Sequence, residues 1–180
     1  MFVKKLVIIM SLTVLISSDS FFLSDYLTDN IMTDNVSDKE LDHALMLNIP
    51  QAYQYKMNLH SVGTKNWFYY ARHLALSDSN TAINIAEYYD NKKNYKQAVL
   101  WYQRAMNLNN SIASLQLAGL YVKLTEFNAA KLTLSEININ ELSDEIDQYH
   151  YLLLQVEISL ALGEQANIYP YIPKLLLINK

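Results

Sequence analysis

Apolar residues recur three to four positions apart through most of the chain, and short polar segments interrupt them at intervals. Capping signals mark where helices begin. Ser37 with Glu40 forms a capping-box pattern, and Asn94 and Asn110, or Ser111, precede apolar stretches. The predicted helices cover 38–47, a segment that opens at Pro50 and closes at Gly63, 65–76, 95–108, 112–124 and 127–137.

Two central segments of the chain, 79–110 and 111–142, match each other at a fixed offset of 32 residues. The matching positions are Ile85-Ala86 with Leu117-Ala118, Tyr89 with Tyr121, Tyr95 with Phe127, Ala98 with Ala130, Tyr102 with Leu134, and Ala105 with Ile137. Small residues at such positions let neighbouring helices approach closely, and the aromatic residues fill the grooves beside them. An internal period of this length is typical of an α-solenoid.

The repeated segments also carry short motifs of a known family. The segment KQAVLWYQRA, from Lys96 to Ala105, is similar to the second-helix core of Sel-like repeats. The positions that match that core are Ala98, Trp101, Tyr102 and Ala105. LAGLY, at 117–121, resembles the first-helix signature of the following repeat. The chain therefore resembles the tetratricopeptide repeat family, in its Sel-like variant, over residues 79–140.

This resemblance implies an all-α fold of antiparallel helix pairs stacked as a short right-handed α-solenoid. The match departs from the family pattern in four respects. The offset of 32 is shorter than about 34, Asn110 replaces a proline, the second copy lacks the Trp-Tyr pair, and neither copy has a glycine between its helices.

An array of this kind needs about three repeats to be stable, so the flanking helices are predicted to be degenerate copies. Upstream, the helix that carries Trp67 is a candidate second helix. Downstream, Ser143 is predicted to cap a helix that Gly163 ends, and the last helix is predicted to start near Pro173.

The first 20 residues have the three-part pattern of a secretory signal. Lys4 and Lys5 precede an apolar run from Leu6 to Ile16, and small residues follow it. The alternative is an uncleaved anchor in which residues 1–23 make the only membrane contact. The predicted organisation is thus a signal or anchor at 1–20, a polar linker at 21–37, and a helical-repeat domain at 38–180.

Composition and motif content argue against several classes of function. A net charge of −4 argues against non-specific nucleic-acid binding. The three glycines form no phosphate-binding loop, and without cysteine there is no disulfide, thiolate nucleophile or Cys-type zinc site. The four histidines are isolated, and the acidic residues after Ser143 are explained by a helix start. We therefore predict no catalytic residues, no metal site and no cofactor.

The resemblance implies that the first helix of each pair lines a concave binding face. The residues assigned to that face are Asn80, Ile83, Asn84, Glu87 and Asn91 from the first copy, and Leu115, Gln116, Val122 and Lys123 from the second. Asparagine can both donate to and accept from an extended peptide backbone, and Ile83 and Leu115 are expected to supply apolar contact. The alternative interpretation is a solvated face that binds nothing.

From the resemblance we expect a non-enzymatic scaffold or adaptor of the bacterial cell envelope, located in the periplasm or anchored in the inner membrane and facing it. Its partner is expected to be a protein, in the form of a peptide segment or a subunit of an envelope assembly. One alternative is a carbohydrate-binding accessory protein of polysaccharide export that uses surface tyrosines: Tyr69, Tyr70, Tyr88 and Tyr89. Another alternative is a cytosolic helical module whose N-terminus is a buried helix.

Overall fold

A computed structural model of the chain describes residues 23–178, and these residues are all-α, with no strand among them. The helices are α1 (23–32), α2 (Asp38–Met46), α3 (Pro50–Asn58), α4 (Lys65–Leu74), α5 (Ser79–Asn91), α6 (Tyr95–Met106), α7 (Ser111–Lys123), α8 (Phe127–Ser135), α9 (Glu145–Ala161) and α10 (Ile172–Ile178). Single 3₁₀ turns at Ile139–Glu141 and Gln165–Asn167 flank α9. The predicted all-α class is confirmed.

Local capping accounts for most helix starts. The Ser37–Glu40 capping box is present, and Asn110, not Ser111, caps α7 by accepting a hydrogen bond from the Ala113 amide. Ser143 as the cap of α9 was a wrong prediction. The carboxylate of Asp144, one position later, accepts from the Ile146 amide at 2.8 Å, so the helix begins one residue further along.

The 32-residue repetition is also present in the backbone. Helices α5 and α7 each have 13 residues and begin 32 positions apart. Helices α6 and α8 also begin 32 positions apart. The turns between the paired helices match as well. Lys93 and Thr125 occupy the left-handed region with φ of 58° and 61°, at positions also 32 apart.

These turns take the place of the missing glycines. After Lys93, the Asn94 amide donates to the Tyr89 carbonyl at 2.8 Å, and after Thr125, the Glu126 amide donates to the Tyr121 carbonyl at 2.8 Å. This hydrogen bond to the carbonyl five residues back closes the helix end in the way that a glycine turn does. The left-handed conformation costs about 1–2 kcal/mol for a residue with a side chain, a cost that these hydrogen bonds offset.

The described chain forms two compact units, the first ending at Leu74 and the second beginning at Ala75. The first unit has a core built on the apolar faces of α1 and α2 and on the start of α3. Its buried residues are Leu27, Ile31, Leu41, Ala44, Ile49 and Ala52.

The predicted polar linker at 21–37 is wrong for residues 23–32, which form α1. Leu27 and Ile31 are 1% and 4% exposed and belong to the core of the first unit, with Leu23 packed against it. These three residues are four positions apart, so they make a helical apolar stripe in a segment that is otherwise acidic.

The core of the second unit connects α7 and α8 to α9. Its buried residues are Leu115, Ala118, Ala130, Leu134, Ile137, Leu142 and Ile158. Within the unit, α5 packs on α6, α6 on α7, and α7 on α8, while α9 contacts both α7 and α8. Gly163 ends α9 with φ of 74°, as predicted.

None of the helices within residues 23–178 has the length and apolarity required to cross a membrane. The predicted signal or anchor at 1–20 lies outside the described residues.

Candidate functional site

A groove of about 430 Å³ opens in the second unit between α5 and α7. Its lining consists of Glu87, Asp90 and Asn91 from α5, Tyr102 from α6, and Gln116, Gly119, Leu120 and Lys123 from α7. Asp90 and Asn91 follow Glu87 by three and four positions, and the lining residues of α7 follow Gln116 by three, four and seven. On each helix the lining residues therefore share one face. We call this feature the α5–α7 groove.

Two polar contacts bridge the groove. The Lys123 ammonium donates to Asp90 Oδ1 at 2.7 Å, and Gln116 Nε2 donates to Glu87 Oε1 at 3.3 Å. The hydrogen bond to Asp90 is the main reason why the pKa of Lys123 is raised. The Lys123 side chain is 51% exposed, so water screens this ion pair and the pair adds little to stability.

The nitrogen and the oxygen of the Gln116 side-chain amide differ in their hydrogen bonding. Its Nε2 is bonded to Glu87, whereas its Oε1 is shielded from solvent and accepts no hydrogen bond from any described residue. A buried acceptor without a donor is unfavourable, because folding removes its water without replacing the hydrogen bond.

Tyr102 brings a phenol to the α6 side of the groove. Its side chain is buried, and burial is the main cause that raises the pKa of the hydroxyl above its ordinary value. The carboxylates of Glu87 and Asp90 raise this pKa further. The phenol therefore stays protonated at neutral pH.

Gly119 leaves part of the groove open. A Cβ atom added at this position would meet no atom within 4 Å, so alanine fits there without moving the helices. Glycine inside a helix costs roughly 0.5–1 kcal/mol relative to alanine. Its presence in α7 keeps the α5–α7 groove wide at the cost of helix stability.

The structure groups four of the predicted binding residues around this groove. These are Glu87, Asn91, Gln116 and Lys123. Asn80 and Asn84 are exposed on α5 but do not line it, and Asn80 Oδ1 accepts a hydrogen bond from Asn110 Nδ2 at 3.4 Å. Val122 is half-buried and packs against the core of the second unit.

The predicted apolar contacts from Ile83 and Leu115 are wrong. Ile83 is 7% exposed and Leu115 is 4% exposed, so neither is available to a partner. Each lies three positions before a fully buried alanine, Ala86 or Ala118, and residues three apart share a helix face. Both side chains therefore point into the protein.

Sequence reasoning missed four residues of the lining. These are Asp90, Tyr102, Gly119 and Leu120. A signal for three of them was present, because Asp90 follows Glu87 by three positions, and Gly119 and Leu120 follow Gln116 by three and four. Tyr102 had no such signal, since it lies on a different helix and was assigned to packing alone.

The tyrosines of the carbohydrate alternative form adjacent ring pairs. Tyr69 and Tyr70 meet edge to face with ring centroids 5.1 Å apart, and Tyr88 and Tyr89 do so at 5.6 Å. Tyr70 also stacks on His60 at 5.9 Å. Neighbouring rings thus use part of their surface on each other, which leaves less of it for a sugar.

No family model, curated protein or solved structure matches this chain. The candidate site therefore depends on its own geometry. Within residues 23–178, no three side chains of the metal-binding types come together as a metal site. What the α5–α7 groove offers is a set of hydrogen-bonding groups of both kinds, on a rigid helical frame.

Proposed function

We propose that this chain is a non-enzymatic binding module that holds a peptide segment or subunit of a protein partner in the α5–α7 groove. The observation that carries the proposal is the groove itself, which gathers Glu87, Asn91, Gln116 and Lys123 in a volume of about 430 Å³. That volume is within the usual range of binding sites and admits a side chain together with its backbone.

The polarity of the groove favours a peptide over an apolar ligand. An extended backbone presents N–H and C=O groups in alternation, and it needs acceptors and donors in turn. The carboxylates of Glu87 and Asp90 can accept, whereas Asn91 and Lys123 can donate. Leu120 is the one aliphatic residue of the lining, and at 3% exposed it offers a ligand almost no apolar surface.

The proposed architecture is a short right-handed α-solenoid of antiparallel helix pairs, similar to tetratricopeptide and Sel-like repeats. The equal lengths of α5 and α7 and the matching left-handed turns at Lys93 and Thr125 support this arrangement. In such an array the first helices of neighbouring pairs face the same side. The α5–α7 groove then belongs to the binding face of the array.

The proposed location is the bacterial cell envelope, where the module serves as an adaptor in a protein assembly. The support for export is the sequence pattern of residues 1–20. An isolated mature chain is expected to begin near Asp19 or Phe21, as read by mass spectrometry of its N-terminus. An intact Met1 in the membrane fraction would identify an anchored protein instead, and an intact Met1 in the soluble cytosol would refute export.

A groove-filling substitution tests the binding function. Purified chain is used to select binders from a library of random short peptides, and the affinities of selected peptides are measured by fluorescence anisotropy. We expect Gly119→Gln to weaken their binding at least about tenfold, because the new side chain occupies the groove.

Gly119→Ala is the matched control, because it makes the same change of backbone freedom but adds only one carbon. It should leave affinity within about twofold and stabilise α7. Both variants place good helix formers at the position, so both should fold. Selected peptides that bind the Gly119→Gln variant as tightly as the original chain would contradict the proposal, as would a library that yields no binder.

A further inference from the structure

The solvent-facing side of α9 carries a stripe of apolar residues. Ile146, Leu153 and Leu160 lie seven positions apart and are 63%, 40% and 55% exposed. Tyr149 and Val156, each three positions after one of them, are half-buried beside them. Helix α9 has 17 residues, so the stripe extends along about 25 Å of helix. We call these five residues the α9 stripe.

The spacing of the α9 stripe indicates what kind of surface covers it. Steps of three and four residues in alternation are the a and d positions of a coiled coil, and a partner helix lies along such a seam. Other sides of α9 are already packed within the chain, because Leu152 and Ile158 are 1% exposed and the helix contacts α7, α8 and α10. The stripe is therefore an additional packing face, with the spacing that fits one more helix.

We propose that the α9 stripe pairs with the α9 stripe of a second copy of this chain, as an antiparallel helix pair about a two-fold axis. With the axis between positions 153 and 156, Leu153 packs against Val156 of the second copy, and Leu160 packs against its Tyr149. A two-fold axis uses the same patch on both copies, so the contact closes at two chains. This pairing does not depend on the α5–α7 groove.

The polar residues beside the stripe complement each other in this arrangement. His150 and Glu157 are exposed, lie seven positions apart, and take part in no hydrogen bond or ion pair with another residue of the segment 23–178. About the same axis, His150 of each copy lies beside Glu157 of the other, so that two imidazole–carboxylate contacts form. In a parallel pair these residues would stay about 10 Å apart along the axis, so the charge pattern favours the antiparallel order.

Two other occupants match the α9 stripe less well. Helix α9 contains three acidic residues, Glu145, Asp147 and Glu157, and neither lysine nor arginine, so an anionic lipid surface would repel it. A helix of a different protein would need both an apolar seam and a basic flank. A second copy supplies the seam and the donor at once, since it carries the same stripe and the same His150.

Analytical ultracentrifugation of the full chain over a range of about 1–500 µM tests the pairing. We expect a monomer–dimer equilibrium with a dissociation constant of about 10–100 µM, because a single helix pair is a small interface. Leu153→Glu should weaken dimerisation at least about tenfold, because it puts a carboxylate in the middle of the seam. Leu132→Glu is the matched control, since Leu132 is 67% exposed on α8 and lies outside the stripe, and it should change the dissociation constant less than about twofold.

Two charge variants test the antiparallel order. Glu157→Lys sets a lysine beside His150 of the other copy, and His150→Glu sets two carboxylates side by side, so each variant alone should dimerise at least about threefold more weakly. In a one-to-one mixture the new lysine meets the new glutamate, and His150 of one chain meets Glu157 of the other. The mixture should therefore associate at least as tightly as the original chain. Both positions are exposed, so both variants should fold, which thermal unfolding verifies.

Three results would overturn the inference. The first is a chain that stays monomeric up to about 500 µM, in which case the helix that covers the stripe belongs to a different protein. The second is equal weakening by Leu153→Glu and Leu132→Glu, which would place the contact elsewhere. The third is a mixture of the two charge variants that associates no more tightly than either alone. Peptide binding in the α5–α7 groove would stand in all three cases, because the library selection tests it separately.

Discussion

Leu134→Ala is expected to lower the free energy of unfolding by about 3 kcal/mol, the largest effect on stability that we predict for a single substitution. Leu134 is fully buried on α8, in the core that joins α7, α8 and α9. Its removal leaves a cavity that Leu115 and Ile158 cannot close without leaving their own contacts. Urea denaturation followed by circular dichroism measures the loss.

Leu132→Ala provides the matched control, since it makes the same chemical change two positions earlier on the same helix. Leu132 is 67% exposed, so its truncation should change the free energy of unfolding by less than about 0.5 kcal/mol. Equal effects of the two substitutions would mean that α8 does not present this face to the core.

Arg104→Met is expected to lower the free energy of unfolding by about 2 kcal/mol, because two hydrogen bonds from a charged donor, one of them partly buried, are lost together. Arg104 Nε donates to the Ala75 carbonyl at 2.8 Å, and Nη2 donates to the Leu76 carbonyl at 3.1 Å. The guanidinium thereby attaches α6 to the segment that precedes α5. Methionine keeps the apolar part of the side chain but cannot donate.

Lys96→Met, on the exposed side of the same helix, is the control for loss of a cation and should change stability by less than about 0.5 kcal/mol. Arg104→Lys should fall between the two, because one ammonium replaces the two-pronged donor. The same urea denaturation measures all three variants. If Arg104→Met behaves like Lys96→Met, the guanidinium does not hold this segment.

Helix positions could be predicted because caps and turns act over four or five residues. The Ser37–Glu40 box, the Asn110 cap and the Gly163 end are local, and each is present in the structure. Helix α1 was missed for a local reason too. Its stripe of Leu23, Leu27 and Ile31 is interspersed with aspartates, and composition was given more weight than spacing.

The candidate site was only partly predictable. Which face of α5 bears Glu87 follows from helical spacing, but α7 is apolar nearly all round, so its sequence does not show which face is covered. Contacts between distant positions have no local signal at all. Arg104 reaches residues 28 and 29 positions away, and the bond from Gln116 to Glu87 spans 29.

The order in which the helices pack has a kinetic consequence. From α5 to α8, each helix contacts the next one in sequence through a turn of a few residues, so most of the chain's loops that must close during folding are short. Short loops lose little entropy on closure, and helical proteins with such local contacts fold in microseconds to milliseconds. A chain that crosses a membrane unfolded, as the proposed export requires, would therefore regain its binding surface almost as soon as it emerges.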